Sequence, residues 1–234
     1  MYVWRSMHLV KGRLLLFIVL LVLAFMLLML NRYPYASVGL VLIPVAYLLG
    51  VYSYKSYLAW LGGSVGEKMV TEELRGLDDS YILLNGVVVP PNRGDTDHIV
   101  VGSNGVFVVE SKNYGGRISC DGDVWTKVKV GRGGGVYNLE IGSPSNQVKR
   151  NSKVLKDFIL GHQGEIFMGR APHIWVHGVL VFTNPDAELE LRNPTVDVVE
   201  LDDLREHIKS AASGLVLTSG QVEAVGRALL KHAR

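Results

Sequence analysis

The chain has 234 residues, enough for one domain of ordinary size plus an anchoring segment. Its 24 basic and 22 acidic side chains give a net charge of +2, yet every acidic residue lies beyond position 55, while Arg5, Lys11, Arg13, Arg32 and Lys55 lie at or before it. The part beyond position 55 is therefore slightly acidic, near −3, which excludes a global basic footprint and confines any nucleic-acid contact to a local patch.

The single cysteine, Cys120, excludes an intrachain disulfide and is compatible with a reducing compartment. The one near-match to a glycosylation sequon, Asn193-Pro194-Thr195, carries the forbidden proline. Residues 1–13 form a basic N-terminal segment. Leu14 to Leu30 is an unbroken apolar run of 17 residues, roughly 25 Å as a helix and thus at the short end for a membrane span. After the connection Asn31–Tyr35, a second apolar run covers Ala36 to Tyr54, interrupted only by Ser, Gly and Pro, which spanning helices tolerate. Tyrosines 33, 35, 52, 54 and 57 cluster near the ends, where amphipathic rings prefer the interface. A cleaved leader also starts basic and then apolar, but the immediate second run favours a transmembrane hairpin over residues 14–55. The distribution of basic residues places both ends of that hairpin in the cytoplasm. Gly39 and Gly50 could permit close helix contact, within the hairpin or with other membrane proteins.

Residues 56–234 read as one soluble domain. Ser64 to Leu77 has helical spacing, with Val65, Met69, Val70, Leu74 and Leu77 on one face, and Ser64 with Glu67 fits a capping box. Strand-like runs follow at Tyr81–Val89, His98–Val101, Val106–Ser111, Arg117–Cys120 and Val124–Val130, separated by Pro90-Pro91, Asn104-Gly105, Gly115-Gly116 and Asp121-Gly122. Gly131–Gly135 and Gly161–Pro172 read as irregular. Between them, Asn146 to Leu160 is helical, with Val148, Leu155, Phe158 and Ile159 apolar. Ile174–Phe182 reads as a buried strand, Val196–Val199 as a short one, and Asp202–Ala211 as a helix. A last helix begins near Thr218, with Gln221 as capping partner. Helices flanking a mixed sheet define the class as α/β.

The chemistry concentrates between Asp95 and Lys112. An apolar strand ending in Glu110-Ser111-Lys112 is unusual, and alternation puts Glu110 and Lys112 on one face. If Asn104-Gly105 is a two-residue turn, Asp97 faces Lys112; if Ser103-Asn104 is the loop, Asp97 faces Glu110. Both registers place the three side chains within about 5–8 Å of one another, whereas a three-residue loop would turn Asp97 away. Two carboxylates and a lysine in that arrangement suit hydrolysis assisted by Mg²⁺ or Mn²⁺: Asp97 and Glu110 offer hard oxygen ligands, and Lys112 can position or deprotonate a water and offset phosphate charge. The same spacing also fits a solvated cross-strand ion pair.

These residues carry a resemblance. From about Val65 to Phe182, the chain resembles the nuclease-related domain (NERD) family, which is assigned to the PD-(D/E)xK nucleases. The likeness runs through Gly66-Glu67, Asp97-His98-Ile99-Val100-Val101 and Gly105-Val106-Phe107-Val108-Val109-Glu110-Ser111-Lys112-Asn113-Tyr114-Gly115-Gly116. It continues through Trp125, Pro144-Ser145-Asn146-Gln147 and Val179-Leu180-Val181-Phe182-Thr183-Asn184. The resemblance implies a restriction-endonuclease-like mixed sheet flanked by helices. It implies Asp97 and Glu110 as metal ligands, Lys112 as the catalytic lysine, and Glu67 and Gln147 as helical contributors to the same site. The chain has Asp95-Thr96-Asp97-His98 where the family commonly has Gln-Ile-Asp-His, and Ser143-Pro144 where Asn-Pro precedes its Gln. Apart from the family, Glu67 also fits the capping partner of Ser64, Gln147 a polar residue of a first helical turn, and His98 a polar residue beside a sheet edge.

Basic residues offer nucleic-acid contacts in two places. Lys127 and Lys129 share a strand face that leads, with Arg117, toward Arg132 in the glycine-rich loop; Lys149, Arg150, Lys153 and Lys156 follow Gln147 on its helix. Solvated faces would look the same. The loop Gly131-Arg132-Gly133-Gly134-Gly135 lacks the Lys-Ser/Thr of a phosphate-binding loop. His173 and His177 on a strand stand about 13 Å apart, too far to share zinc. The expectation is a nuclease held at the lipid bilayer, cutting phosphodiester bonds with Mg²⁺ or Mn²⁺, with DNA as substrate. Its rival is a non-catalytic module binding nucleic acid or protein, and self-association or pairing with other membrane proteins is a further possibility of the hairpin.

Overall fold

The computed structural model describes the chain except Met1, Asn31, Arg32, Arg132, Gly133, Arg170, Ala212, Ser213, Leu215 and Arg234, and except the side chains of residues 2–11, 59 and 60. It divides into two compact units, Met1–Ser64 and Val65–Arg234.

The first unit holds α1 (Tyr2–Met29) and most of α2 (Tyr35–Leu74). Both are long and apolar enough to cross a membrane, with mean hydropathy 2.8 over Gly12–Met29 and 1.9 for the second helix. A Cβ on Gly39 would lie 2.9 Å from the Ala24 carbonyl oxygen, and one on Gly50 would lie 2.8 Å from the Phe17 ring. As α2 advances its partners retreat along α1, so the two helices form an antiparallel hairpin. The glycines serve this internal contact, which accounts for them without an outside partner.

The helix expected over Ser64–Leu77 is the end of α2. Because the helix is continuous through Gly62-Gly63, Ser64 has no free helix N-terminus to cap, and the Ser64–Glu67 capping box is not formed. Val70 and Leu74 of this segment pack on one face of the first sheet.

That sheet has the order β1-β2-β3-β7-β9: β1 (Ile82–Val87), β2 (Thr96–Gly102), β3 (Gly105–Lys112), β7 (Val176–Phe182) and β9 (Asp197–Glu200). β1, β2 and β3 pair antiparallel, whereas β3–β7 and β7–β9 are parallel. The central strands are covered on both faces by helices, which is why β2, β3 and β7 are near-continuous apolar runs. On one face, Ile99, Val101, Val106 and Val108 meet Leu155, Phe158 and Ile159 of α3 (Pro144–Gly161) and Val222, Val225 and Leu229 of α6 (Ser219–His232). On the other, Val100, Phe107, Val109, Val179 and Val181 meet α2 and Leu204 and Ile208 of α5 (Leu204–Ser210).

A second sheet, β6-β5-β4-β8, contains β4 (Gly116–Asp121), β5 (Val124–Val130), β6 (Val136–Glu140) and β8 (Ala187–Arg192). Its Ile118, Cys120 and Trp125 close over Val148 of α3 and Leu180 and Phe182 of β7. Trp125 stacks on Phe182 with ring centroids 5.6 Å apart, and its indole N–H donates to Ser145 Oγ at 3.0 Å. The second sheet thus clamps the start of α3. Ser143 caps that helix, accepting from the Asn146 amide at 3.2 Å, with Pro144 in the first turn where its missing N–H costs nothing. Thr218 and Gln221 form the expected capping box of α6. Within the stretch expected to be irregular, Gln163–Phe167 forms the short α4.

Candidate active site

The β2–β3 ladder decides between the two turns. Gly102 pairs with Gly105 and His98 with Val109, so Ser103-Asn104 is the two-residue loop and the register carries Asp97 toward Glu110. Asp97, Ile99 and Val101 share a face of β2; Val106, Val108, Glu110 and Lys112 share the matching face of β3, the one α3 covers. Beyond His98 a side chain replaces the strand: Asp97 Oδ2 accepts from the Ser111 amide at 2.9 Å and from Ser111 Oγ at 3.0 Å. Ser111 was not singled out in the sequence, because alternation turns it away from Glu110 and Lys112; only the end of the ladder frees its amide for a carboxylate.

Glu110 is 1% exposed. Its Oε1 accepts from Lys112 Nζ at 2.5 Å and from Gln147 Nε2 at 2.5 Å, while Lys112 also donates to Gln147 Oε1 at 3.2 Å. The three side chains form a closed triangle between β3 and the first turns of α3. Gln147 is there because the Ser143 cap and the Trp125–Ser145 bond fix where that helix begins. Glu110 Oε2 is buried without a hydrogen-bond partner. In a site this dry, such an oxygen needs a cation, a donor or a proton.

The electrostatics agree. Burial and then the nearby Asp97 carboxylate push Glu110 up to about 7, against the pull of Lys112. Glu67, half-buried on α2, is likewise pushed up to about 7 by burial, Asp97 and Asp95. Burial works against a charged Lys112, but Glu110 and Asp97 outweigh it and hold its pKa above the ordinary lysine value. Lys112 is therefore a standing ammonium, suited to stabilising charge and orienting water rather than removing a proton. The cluster is short of positive charge: the Asp97 carboxylate raises both Glu67 and Glu110, and a single lysine offsets the three.

Among the described residues, no group of three or more His, Cys, Asp or Glu side chains is drawn together tightly enough to hold a metal ion by itself. The donor set still fits Mg²⁺ or Mn²⁺, which take one or two carboxylates and complete their shell with water and phosphate oxygens. Asp97 and the orphaned Glu110 Oε2 are the hard donors available.

The other candidates fall elsewhere. His98 is not beside a sheet edge: it is buried between β1 and β3, its Nδ1 2.8 Å from Asn85 Oδ1, and burial lowers it to about 4. Lys127 and Lys129 lie on the Trp125 face of β5, Lys127 half-buried and Lys129 exposed. Lys149 pairs with Asp123 at 2.5 Å and Lys153 with Asp157 at 2.7 Å, while Arg150 is exposed on the same helix. Exposed pairs of this kind are weak and can be exchanged for phosphate. Arg117 lies 3.6 Å from Glu188 in an exposed pair, and Arg132 lies outside the described residues.

With the geometry in place, comparison with known proteins is decisive for the family. The nuclease-related domain profile matches residues 62–183, more than half of the chain. The chain belongs to the nuclease-related domain family. Glu67, Asp97, Glu110, Lys112 and Gln147 all fall inside the matched nuclease-related domain. An uncharacterized protein of Bacillus anthracis is 46% identical over 82 residues, covering 33% of this chain and 39% of that protein. The chain thus spans well under half of that relative's length. No solved structure matches the chain. Family membership places the protein in a nuclease-related function class.

Proposed function

We propose that the protein is a metal-dependent nuclease, cutting phosphodiester bonds in DNA, with residues 14–55 as a bilayer anchor and residues 56–234 as the working domain on the cytoplasmic side. The observation that carries this reading is the buried, partnerless Glu110 Oε2 beside Asp97, in a pocket where carboxylates outnumber cations.

Asp97 and Glu110 would hold a Mg²⁺ or Mn²⁺ ion, which when bound supplies charge to a phosphate oxygen and acidity to a water. The remaining work belongs to the chain. Lys112 offers its ammonium to the phosphate and orients the attacking water. Gln147, bonded to both Glu110 and Lys112, holds the pair in one arrangement. Glu67, held near neutrality in its affinity for a proton, is placed to exchange one with water at the edge of the site. Ser111 fixes the Asp97 carboxylate.

The direct test of the ligand assignment is Mn²⁺ titration of the full chain in detergent micelles, read by loss of the free-ion electron paramagnetic resonance signal. Binding should weaken at least tenfold in Asp97→Asn and in Glu110→Gln. Unchanged binding in both variants would refute the assignment.

The closed Glu110–Lys112–Gln147 triangle favours a second reading. The same face could be a non-catalytic binding module, with the triangle only a structural network. That module would bind nucleic acid or protein equally well with Lys112 replaced by Met, whereas cleavage requires the ammonium.

A further inference from the structure

A second concavity lies along α3, outside the carboxylate cluster. It has a volume of about 420 Å³, and Lys149, Lys153, Lys156, Ser152, Trp175 and His177 are among its lining residues. We propose that this pocket takes one nucleotide of a single-stranded nucleic acid, the base stacking on Trp175 and the flanking phosphates lying against the three lysines. The proposal deepens the nuclease reading by naming the form of the substrate.

Four observations converge on that ligand. Trp175 is 53% exposed just before β7, an unusual setting for the largest apolar side chain, and Lys156 Nζ stands 5.9 Å from its ring centroid. Lys149, Lys153 and Lys156 bring three cationic side chains to one wall, two of them in the exchangeable pairs with Asp123 and Asp157, while the acidic lining residue Asp197 is engaged by His207 at 3.3 Å. Ser152 Oγ lines the pocket and is buried without a hydrogen-bond partner, a polar atom available to a base edge. Gly178 lets α3 approach β7 closely, since a Cβ there would meet the Val148 side chain and come within 3.1 Å of Ser152 Oγ.

An aromatic platform with adjacent lysines is how sequence-tolerant single-strand binders work, because every base has a π-face and every linkage a phosphate. A duplex keeps its bases stacked on each other and cannot offer one to Trp175 without first being opened. The same helix carries Gln147 in its first turns and Lys156 nine residues later, roughly 13 Å along the axis. Nine residues also turn the helix by about half a revolution beyond two full turns, so a strand held in the pocket reaches the carboxylate cluster by crossing over α3.

The test measures binding without chemistry. The full chain in detergent micelles is titrated with a fluorescent 12-residue oligothymidylate in excess EDTA, with unlabelled oligothymidylate, its blunt duplex and thymidine monophosphate as competitors. The expected result is that the single strand competes best. Trp175→Ala should weaken binding about 5- to 140-fold, the effect of losing one base–aromatic stack, while Trp175→Phe should recover most of it. Lys153→Ala should lower the slope of log affinity against log salt by about 0.7. Equal binding by Trp175→Ala with an unchanged melting temperature would overturn the proposal. So would a duplex that competes as well as the strand, or a monophosphate that matches the oligomer. EDTA separates this outcome from that of the nuclease reading: a binding pocket without cleavage, or cleavage without this pocket, would each be seen as such.

Discussion

Gly178→Ala perturbs the seating of α3 without touching any polar group. The added methyl would run into Val148 Cγ1 and come within 3.1 Å of Ser152 Oγ, and Val148 is itself fully buried between the two sheets. Overpacking of that kind costs about 1–3 kcal/mol. Alanine also restricts the unfolded chain, which gives back about 0.4–1 kcal/mol where the backbone accepts it; Gly178 has no left-handed φ, so it does. The net loss is about 0–2.6 kcal/mol, a fall of up to roughly 10 °C in melting temperature for a unit of this size. Val148→Ala removes the obstructing methyl, so the double variant should be less destabilised than the sum of the singles by about 0.5–3 kcal/mol. Urea unfolding of the full chain in micelles, followed by tryptophan emission, measures all four corners of this cycle. Cleavage should fall further than stability in Gly178→Ala, because Gln147 immediately precedes Val148 and bonds both Glu110, at 2.5 Å, and Lys112. Additivity of the two substitutions within about 0.5 kcal/mol would refute the close-approach account of this glycine.

Three further outcomes follow from single contacts. Lys112→Met should lower the cleavage rate about 100- to 1,000-fold while leaving strand binding in EDTA within a few fold, measured by single-turnover gel assay and anisotropy. Asp123 is held at about 2 by hydrogen bonds from Lys149, Thr195 and Ser145. Its folded pKa is below the unfolded value of about 3.9, so its stabilisation is complete above that pH and is lost as pH falls through about 2. The melting temperature of the wild type should therefore drop more steeply than that of Asp123→Asn between pH 4 and 2, and parallel curves would contradict this. Thr218→Ala removes both halves of the α6 capping box and should cost about 1 kcal/mol, read in the same urea titration.

Much of the fold is legible in local pattern. β5 occupies Val124–Val130, the span its alternation and flanking turn signals indicate, and α6 starts at the expected Thr218–Gln221 box. The Asp97–Glu110–Lys112 face followed from period-two alternation, and the loop Ser103-Asn104 is one of the two turns compatible with it. What escaped was structure that little burial enforces. β6 (Val136–Glu140) is exposed along its whole length and β8 (Ala187–Arg192) nearly so, hence neither carries an apolar run to mark it. The helix expected to start at Ser64 instead continues α2 through Gly62-Gly63, because neighbouring helical turns on both sides outweigh a local cost of about 1 kcal/mol per glycine. Trp175 and the polar atoms around it come together only in three dimensions, from α3, β7 and the segment leading to β9. Membership of the site from Glu67 and Gln147 rested on family likeness; in the structure Gln147 bonds directly to Glu110, and Glu67 feels Asp97 through space.

The central claim is catalysis at the Asp97–Glu110–Lys112 cluster, and the most direct measurement is cleavage by the full chain in detergent micelles. Linear, circular and single-stranded DNA and RNA would each be incubated with Mg²⁺, with Mn²⁺ and with EDTA, using wild type, Asp97→Asn and Lys112→Met in parallel. The account predicts cutting that requires metal, vanishes in EDTA, and is lost in both variants although their melting temperatures stay close to wild type. A folded wild-type chain that cuts none of these substrates, or that cuts equally well in both variants, would contradict it.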